Sequence, residues 1–214
     1  MRMRPNPQPS FHETLAPNHP AGFWAPFRAQ LCGEDRASQI VEFALSVPLL
    51  VFFVIGIFDF SGALALKHKL AGAAREAARV AAADPATDLA SPSASAPVSI
   101  SDAVQVVDTY LLSENLGDCG IASATLPAPS ALTWTITSSA GKCPGGAGGP
   151  GLTLKVNRGC VTKATIGGIQ VDLIETCVTL KYPYVWQFNS VAVWFGGFTG
   201  PTIITTGATA LNEN

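Results

Sequence analysis

The sequence predicts an α+β protein, in which a long apolar helix precedes a small, mostly antiparallel β domain with one short helix. Sixteen consecutive uncharged residues run from Phe43 to Phe58. An alanine-rich segment of high helix propensity follows from Leu70 to Ala83. Later segments alternate apolar and polar residues, as half-buried antiparallel strands do. The predicted order is therefore one continuous helix, then a sheet.

Residues 1–37 precede the helix and are interrupted by closely spaced prolines, which prevent a long helix or strand. We expect a disordered, cytoplasmic leader. The whole chain of 214 residues has 13 Lys and Arg against 15 Asp and Glu, a net charge of −2. With no run of basic residues to offset this balance, the sequence argues against a nucleic-acid partner.

The apolar part of the helix is long enough to cross a membrane. Residues 40–66 cover about 40 Å of helix, against about 30 Å for the hydrocarbon layer. Glu42 and Asp59 flank the uncharged core of this segment, so both carboxylates can lie near the membrane faces. For Asp59 we expect a plain interfacial position rather than a partner contact.

Two further features belong to this helix, predicted over residues 38–84. Pro48 removes the hydrogen bond to the carbonyl of Ala44, which predicts a kink or local melting. Beyond the membrane segment, small residues suited to packing against a partner helix form a narrow stripe: Leu70, Ala74, Ala77 and Ala81.

Residues 85–100 are rich in Pro, Ser and Ala and predict a linker, followed by an α+β ectodomain over residues 101–214. Ser101 can cap a helix that ends near Leu112. Six strands are predicted at residues 131–137, 152–157, 160–166, 169–174, 177–182 and 202–208.

Four of the five cysteines follow the membrane segment: Cys119, Cys143, Cys160 and Cys177. An even set favours two disulfides over free buried thiols, and three connectivities are possible. A hairpin turn at Gly167-Gly168 favours 160–177 with 119–143. Disulfides require an oxidising compartment, which predicts a cytoplasmic N-terminus and an extracytoplasmic C-terminal domain.

The sequence predicts neither an enzyme nor a metal or cofactor site. No His follows His68, which excludes Ser-His-Asp and Cys-His arrangements in the ectodomain. Asp172 and Glu175 are interpreted as solvent-facing carboxylates rather than a catalytic pair. The apolar segment 185–198 is too short to span a membrane and predicts core packing or, failing that, a subunit contact or recognition patch.

Residues 37–82 resemble the TadE-like pseudopilins of the tight-adherence (Tad/Flp) pilus machinery. The features that carry the resemblance are Val41-Glu42-Phe43-Ala44-Leu45, Pro48, Gly56-Ile57, Asp59-Phe60 and the run from Ala73 to Arg79. Weaker similarity covers residues 178–184 and 202–213. The resemblance implies a pilin-like fold and a minor pilin that acts in pilus assembly or initiation and in surface adhesion.

The resemblance also implies cleavage by a prepilin peptidase between Ala37 and Ser38, although Ala37 stands where the family usually has Gly. Glu42 and Phe43 would then set the register of the subunit among other pilins or pseudopilins. A carboxylate at the membrane edge can accept hydrogen bonds from the new amino group of a neighbouring subunit. The implied location is the bacterial inner membrane, beside the pilus assembly platform, with possible incorporation into an extracellular pilus.

Two alternatives stay open. Ala63-Leu64-Ala65 fits the small-x-small pattern of a secretory signal peptidase, which would release a secreted binding module that starts at Leu66. An uncleaved signal anchor would instead tether such a module to the membrane.

Overall fold

A computed structural model describes residues 35–90, 97–139, 142–144, 146, 149–188 and 202–213. The chain divides into two compact units, Met1–Phe52 and Phe53–Asn214. The helices are α1 (Asp35–Ala83) and α2 (Val98–Ser113), with short 3-10 turns at Ala86–Ala90 and Ile121–Ser123. The strands are β1 (Thr133–Thr137), β2 (Thr153–Ile166), β3 (Ile169–Pro183) and β4 (Ile203–Leu211). The predicted α+β class is confirmed.

The described part of the first unit consists of residues 35–52 of α1, whose side chains from Ser38 onward are exposed. Among the described residues, α1 is the one helix long and apolar enough to cross a membrane, and its most apolar window is 0% buried. The helix is unbroken at Pro48, so local melting does not occur. The kink stays a prediction.

The second half of α1 lies in the core of the second unit. Its buried residues are Leu66, Leu70, Ala73, Ala74, Ala77, Ala78, Ala81 and Ala82. All of them except Ala82 belong to the same apolar cluster as Val107 of α2, Trp134 of β1 and Leu180 of β3. The small-residue stripe is therefore covered within its own domain, where α2 is one of the elements of the same cluster.

The four strands form one antiparallel sheet in the order β1-β2-β3-β4. Gly167 and Gly168 join β2 to β3 with φ values of +59° and +86°. Two consecutive residues at positive φ form the tight turn whose twist suits a two-residue hairpin, and glycine adopts it without strain. The predicted turn is confirmed.

Four of the predicted strands join into two long ones. β2 continues from residues 152–157 into 160–166 through an irregularity in register between Asn157 and Cys160. Such a bulge adds one residue to one strand without ending the pairing. β3 likewise contains both 169–174 and 177–182 without a break.

Helix α2 begins at Val98, three residues before the predicted cap, so Ser101 as the N-cap is wrong. The Ser101 hydroxyl donates instead to the carbonyl of Val98 at 2.8 Å. The free N–H of Ser99 in the first turn donates to the carboxylate of Asp88 at 3.0 Å. The carboxylate of Asp88 thus accepts from an N–H group at the N-terminus of the helix, as the side chain of a capping residue would.

Candidate functional site

The residues predicted to direct assembly lie at the start of α1, in the first unit. Ala37 is helical, and the Ser38, Glu42 and Phe43 side chains are exposed. Ser38 and Glu42 are four residues apart, which places them on one face of the helix. No described residue of the chain pairs with the Glu42 carboxylate. Its proposed partner belongs to another subunit, so the register role stays a prediction.

Pro48 follows one helical turn later. It has no N–H to donate to the carbonyl of Ala44. The Ser46 hydroxyl, two residues before it, donates to the Phe43 carbonyl at 3.1 Å. The hydroxyl proton of Ser46 is therefore used within the helix.

Asp59 joins α1 to the segment that follows β3, in the second unit. Its carboxylate accepts hydrogen bonds from the backbone N–H groups of Gln187 and Phe188, at 3.2 and 3.3 Å. The Tyr184 hydroxyl donates to the Asp59 carbonyl at 3.3 Å. The Tyr184 ring packs edge-on against the ring of Trp186, with centroids 5.1 Å apart. Asp59 therefore holds its own chain together, a role that the sequence did not predict, while its position at the membrane interface stays a prediction.

The Tyr184 hydroxyl stays a neutral donor at this junction. Burial raises the pKa of Tyr184, and the negative charge of Asp59 raises it further. Gly62, almost one turn after Asp59, brings its backbone close enough that an added Cβ would lie 3.3 Å from the hydroxyl oxygen. The helix surface is thus shaped to accept this tyrosine.

At the other end of this part of α1, Arg158 of β2 is fully buried. Its guanidinium donates to the Asp84 carbonyl at 2.9 Å and lies 3.9 Å from the Asp88 carboxylate. Burial lowers the pKa of Arg158, while the charges of Asp88 and Asp84 raise it. A cation beside the last carbonyls of a helix satisfies its unpaired C-terminal groups.

The carboxyl group of Asp84 is itself perturbed. Burial is the largest cause that raises the pKa of Asp84, followed by the charges of Asp102 and Asp88, while Arg158 opposes them. The sequence analysis missed Arg158, although a signal was present. The inward positions Leu152, Leu154 and Val156 continue in steps of two to Arg158, which predicts an inward side chain.

The end of β4 closes the same region. The Asn212 side chain donates to the Arg158 carbonyl at 3.3 Å and accepts from the Thr176 hydroxyl at 2.6 Å. The backbone N–H of Glu213 donates to the Ala82 carbonyl at 3.4 Å. Residues 82–88, the bulge in β2 and the end of β4 therefore meet around Arg158.

The four ectodomain cysteines lie in two pairs at disulfide distance. Cys119 bonds Cys143 with an S–S distance of 2.09 Å, and Cys160 bonds Cys177 at 2.05 Å. This is the pairing that the predicted hairpin favoured. Cys119 and Cys143 are buried, whereas Cys160 and Cys177 are half-buried on the sheet.

Asp108 of α2 faces Asp118, the residue before the buried Cys119. Burial raises the pKa of Asp108, and the hydrogen bond and negative charge of Asp118 raise it further. The Asp118 carboxylate also accepts a hydrogen bond from the Gly120 N–H at 3.1 Å. This carboxylate pair therefore lies beside the first disulfide.

Asp172 and Glu175 do not form a pair. They are an odd number of residues apart in β3, so their side chains lie on opposite faces of the sheet. Asp172 is exposed, and Glu175 accepts a hydrogen bond from the Thr162 hydroxyl at 2.8 Å. Nowhere in the described residues do three or more His, Cys, Asp or Glu side chains converge as metal ligands.

Some predicted features lie outside the described residues. They are residues 1–34 of the leader, residues 91–96 of the predicted linker and residues 189–198 of the apolar segment that begins at Val185. Val185 itself is exposed, and Trp186 is half-buried.

The family model described as TadE-like protein matches residues 37–79. The match begins at Ala37, includes the exposed part of α1 and ends within the part of α1 that lies in the ectodomain core. The sheet lies beyond it. No curated protein and no solved structure matches the chain. Over residues 37–79 the chain is therefore similar to the TadE-like family, as the sequence predicted.

Proposed function

We propose that the chain is a minor pilin, or pseudopilin, that acts in the assembly or initiation of a Tad pilus and in surface adhesion. The carrying observation is the TadE-like match on a helix whose first half is exposed and whose second half is part of a folded domain. An exposed apolar helix needs either lipid or neighbouring helices around it. A pilin uses both, first in the membrane and then in the filament.

In this proposal a prepilin peptidase cleaves between Ala37 and Ser38 and leaves Ser38 as the mature N-terminus. Glu42 of one subunit accepts hydrogen bonds from the amino group of a neighbour, and Phe43 packs beside it. A charge-assisted hydrogen bond is strong in a region of low dielectric constant. The pair therefore sets the axial register between subunits.

The proposed topology is a single pass through the bacterial inner membrane. The leader lies in the cytoplasm and the ectodomain in the periplasm, where oxidising conditions support its two disulfides. The partners are the prepilin peptidase, other pilins or pseudopilins and the assembly platform. The role is structural, and we propose no catalytic activity or cofactor.

The Asp59 junction argues against the secreted alternative. A cut after Ala65 would remove Asp59 and leave the N–H groups of Gln187 and Phe188 without their acceptor. It would also fall directly before Leu66, which is buried in the core. Retention of the whole helix keeps both features intact.

The first experiment is the intact mass and N-terminal sequence of the mature protein, purified without reduction from membranes of the native host. We expect a start at Ser38 and a mass lower by four hydrogens than the reduced chain. A start at Leu66 would contradict the pilin proposal and support a secreted module. A start at Met1 would leave a signal anchor and remove the partner proposed for Glu42.

A second experiment tests the assembly role. We expect Glu42→Ala, expressed at the native level, to abolish pili as deletion of the gene does. Ser46→Ala is the matched control, because Ser46 is exposed on the same helix and bonds only within it, and pili should persist. Filaments that persist without Glu42 while surface attachment is lost would instead favour a tethered binding module.

A further inference from the structure

The second unit carries a projecting hairpin, here called the arm, which consists of residues 160–175. β1 pairs with β2 only as far as Asn157, and β4 pairs with β3 only from Glu175 onward. The arm is therefore two strands wide among the described residues. A two-stranded hairpin is marginally stable in water by itself, and the Cys160–Cys177 disulfide ties its base.

The arm lies at the end of the second unit away from Asp59. β3 runs from the arm to the Asp59 junction, while Glu213 beside the base of the arm contacts Ala82 at the end of α1. The two paths agree in length, since residues 59–82 rise about 35 Å as a helix and residues 175–184 about 30 Å as a strand. The tip at Gly167-Gly168 therefore extends beyond the C-terminal end of α1 at Ala83.

The arm exposes large apolar side chains on both strands. Val161 is 59% exposed, Ile166 63%, Ile169 69% and Ile174 60%. Exposed apolar residues on strands with open edges are typical of surfaces that pair with another chain. The arm thus has the properties of a docking element.

The two edges of the arm differ in charge. The N–H of Asn212 donates to the Ile174 carbonyl, so Ile174 and the alternate residue Asp172 direct their backbone groups to the outer edge of β3. Lys163 pairs with Asp172 in the antiparallel register. Because the backbone groups of Asp172 point away from β2, Asp172 and Lys163 form a non-hydrogen-bonded pair. Lys163 therefore directs its own backbone N–H and C=O groups to the outer edge of β2. One edge is centred on an acid and the other on a base.

We propose that the β3 edge of the arm pairs with the β2 edge of a second copy of this chain, with Asp172 opposite Lys163 of the second copy. Pairing of like edges would bring two acids or two bases together, whereas this pairing joins opposite charges. Ile169 then lies opposite Ile166 of the second copy, and both exposed side chains gain a neighbour.

This inference rests on the membrane anchoring in the proposed function. When the second units of two neighbouring copies share one orientation, their arms point the same way, and β3 of one copy and β2 of the next run antiparallel. Antiparallel pairing of two like edges would need an inverted copy. The contact is head-to-tail and leaves one open edge at each end of a row, so it can continue from copy to copy.

Site-specific crosslinking of the full chain in membranes tests the pairing. Two differently tagged copies are coexpressed, one with Lys163→Cys and the other with Asp172→Cys. Both also carry Cys32→Ser, because Cys32 is the one native cysteine outside the two disulfides. A short bismaleimide then links thiols without an oxidant. We expect a crosslinked dimer that carries both tags. The control replaces Lys163→Cys by Lys155→Cys, an exposed position of β2 that pairs with Thr135 of β1, and should give no such dimer.

A second pair of variants tests the role of charge. Thr165→Cys and Gln170→Cys occupy the neighbouring position in the same register. In this pair, Lys163→Asp on both copies should lower the dimer yield up to about fivefold, as expected for a lost cross-strand charge pair. Adding Asp172→Lys on both copies should restore the yield. Non-reducing mass spectra that retain both native disulfides show that the variants fold.

The outcomes separate this inference from the proposed function. Absence of the mixed-tag dimer, dimers linked through the same residue in both copies, or a thiol adduct to a different protein would each overturn the pairing. Pilus assembly is scored independently in the same cells. Normal pili without the crosslink overturn the pairing alone, whereas the crosslink in cells whose pili do not depend on this chain overturns the pilus role alone.

Discussion

The carboxylate of Asp59 accepts a hydrogen bond from the backbone N–H of Gln187, which lies 128 residues later in the chain, at 3.2 Å. The neighbouring N–H of Phe188 donates to the same carboxylate. We expect Asp59→Ala to lower the free energy of unfolding by about 1–2 kcal/mol, because two charge-assisted bonds are lost at a half-exposed site. Denaturant titration in detergent micelles, followed by tryptophan fluorescence, measures the loss.

Asp59→Asn is the control for this prediction, because its amide oxygen can still accept one of the two bonds. It should lose less than Asp59→Ala. Tyr184→Phe removes only the bond to the Asp59 carbonyl. Equal stability of Asp59→Ala and the wild-type protein would mean that the junction does not hold residues 184–188.

Helix α1 contacts α2 through Gly72, where an added Cβ would lie 2.1 Å from the Tyr110 hydroxyl oxygen. We expect Gly72→Ala to destabilise the protein by about 1–3 kcal/mol, because the half-buried Tyr110 side chain, which packs against the core, must move. Gly56→Ala is the matched control, since nothing lies within 4 Å of its added Cβ. It should be neutral or stabilising by up to about 1 kcal/mol. A similar effect from both substitutions in thermal unfolding would contradict the close contact.

Local patterns predicted much of this fold. The alternation of Trp134 and Ile136 with threonines marked β1, and Gly167-Gly168 marked the hairpin, because periodicity and turn chemistry act over a few residues. The bulge after Asn157 interrupted the alternation, so one long strand was predicted as two. Helix boundaries failed for a related reason, since the acceptor for the α2 N-terminus comes from Asp88 rather than from Ser101.

Long-range pairing was not predictable in the same way. The small-residue stripe of α1 was visible in the sequence, but its partner was not, because any apolar surface covers alanines equally well. Asp59 and Arg158 were likewise paired with residues far along the chain, at Gln187 and Asp84. The exposed residues Ser38 and Glu42 were predicted from the family resemblance, since the partners proposed for them belong to other chains.

Arg158 is buried with Asp88 and the Asp84 carbonyl. We expect Arg158→Met to cost about 3–5 kcal/mol of unfolding free energy, because it leaves the Asp88 carboxylate without its cation. Adding Asp88→Asn should recover most of this loss, since the amide can still accept from the Ser99 N–H. Lys155→Met, an exposed change in the same strand, should stay within about 0.5 kcal/mol. No recovery in the double variant would show that Asp88 is not the group affected.

The two disulfides stabilise different regions. Loss of the 160–177 bond in Cys160→Ser/Cys177→Ser should cost about 3 kcal/mol, since it opens a loop with a sequence separation of 17. Hydrogen exchange should also accelerate in residues 160–175, which have little other support. Cys119→Ser/Cys143→Ser, with a separation of 24, is the control. It should cost a similar free energy of unfolding without selectively faster hydrogen exchange in the arm. Uniformly faster exchange in both variants would contradict a local role for the 160–177 bond.

We expect Asp108 to make the stability of the protein depend on pH. Its pKa is raised in the folded state by burial and by Asp118, so the folded protein binds a proton that the unfolded chain releases at about pH 4. The contribution of the protonated Asp108 carboxyl to the free energy of unfolding is therefore full below about pH 4, and it is lost as the pH rises through the raised folded pKa.

Asp108→Asn removes this loss, so urea midpoints should exceed those of the wild type at pH 7, and the decline in stability between pH 4 and 7 should become smaller. Asp118→Asn should act in the same direction but less, because burial, the larger cause, remains. A steeper decline in Asp108→Asn than in the wild type would mean that the carboxylate is stabilised, not strained, in the fold.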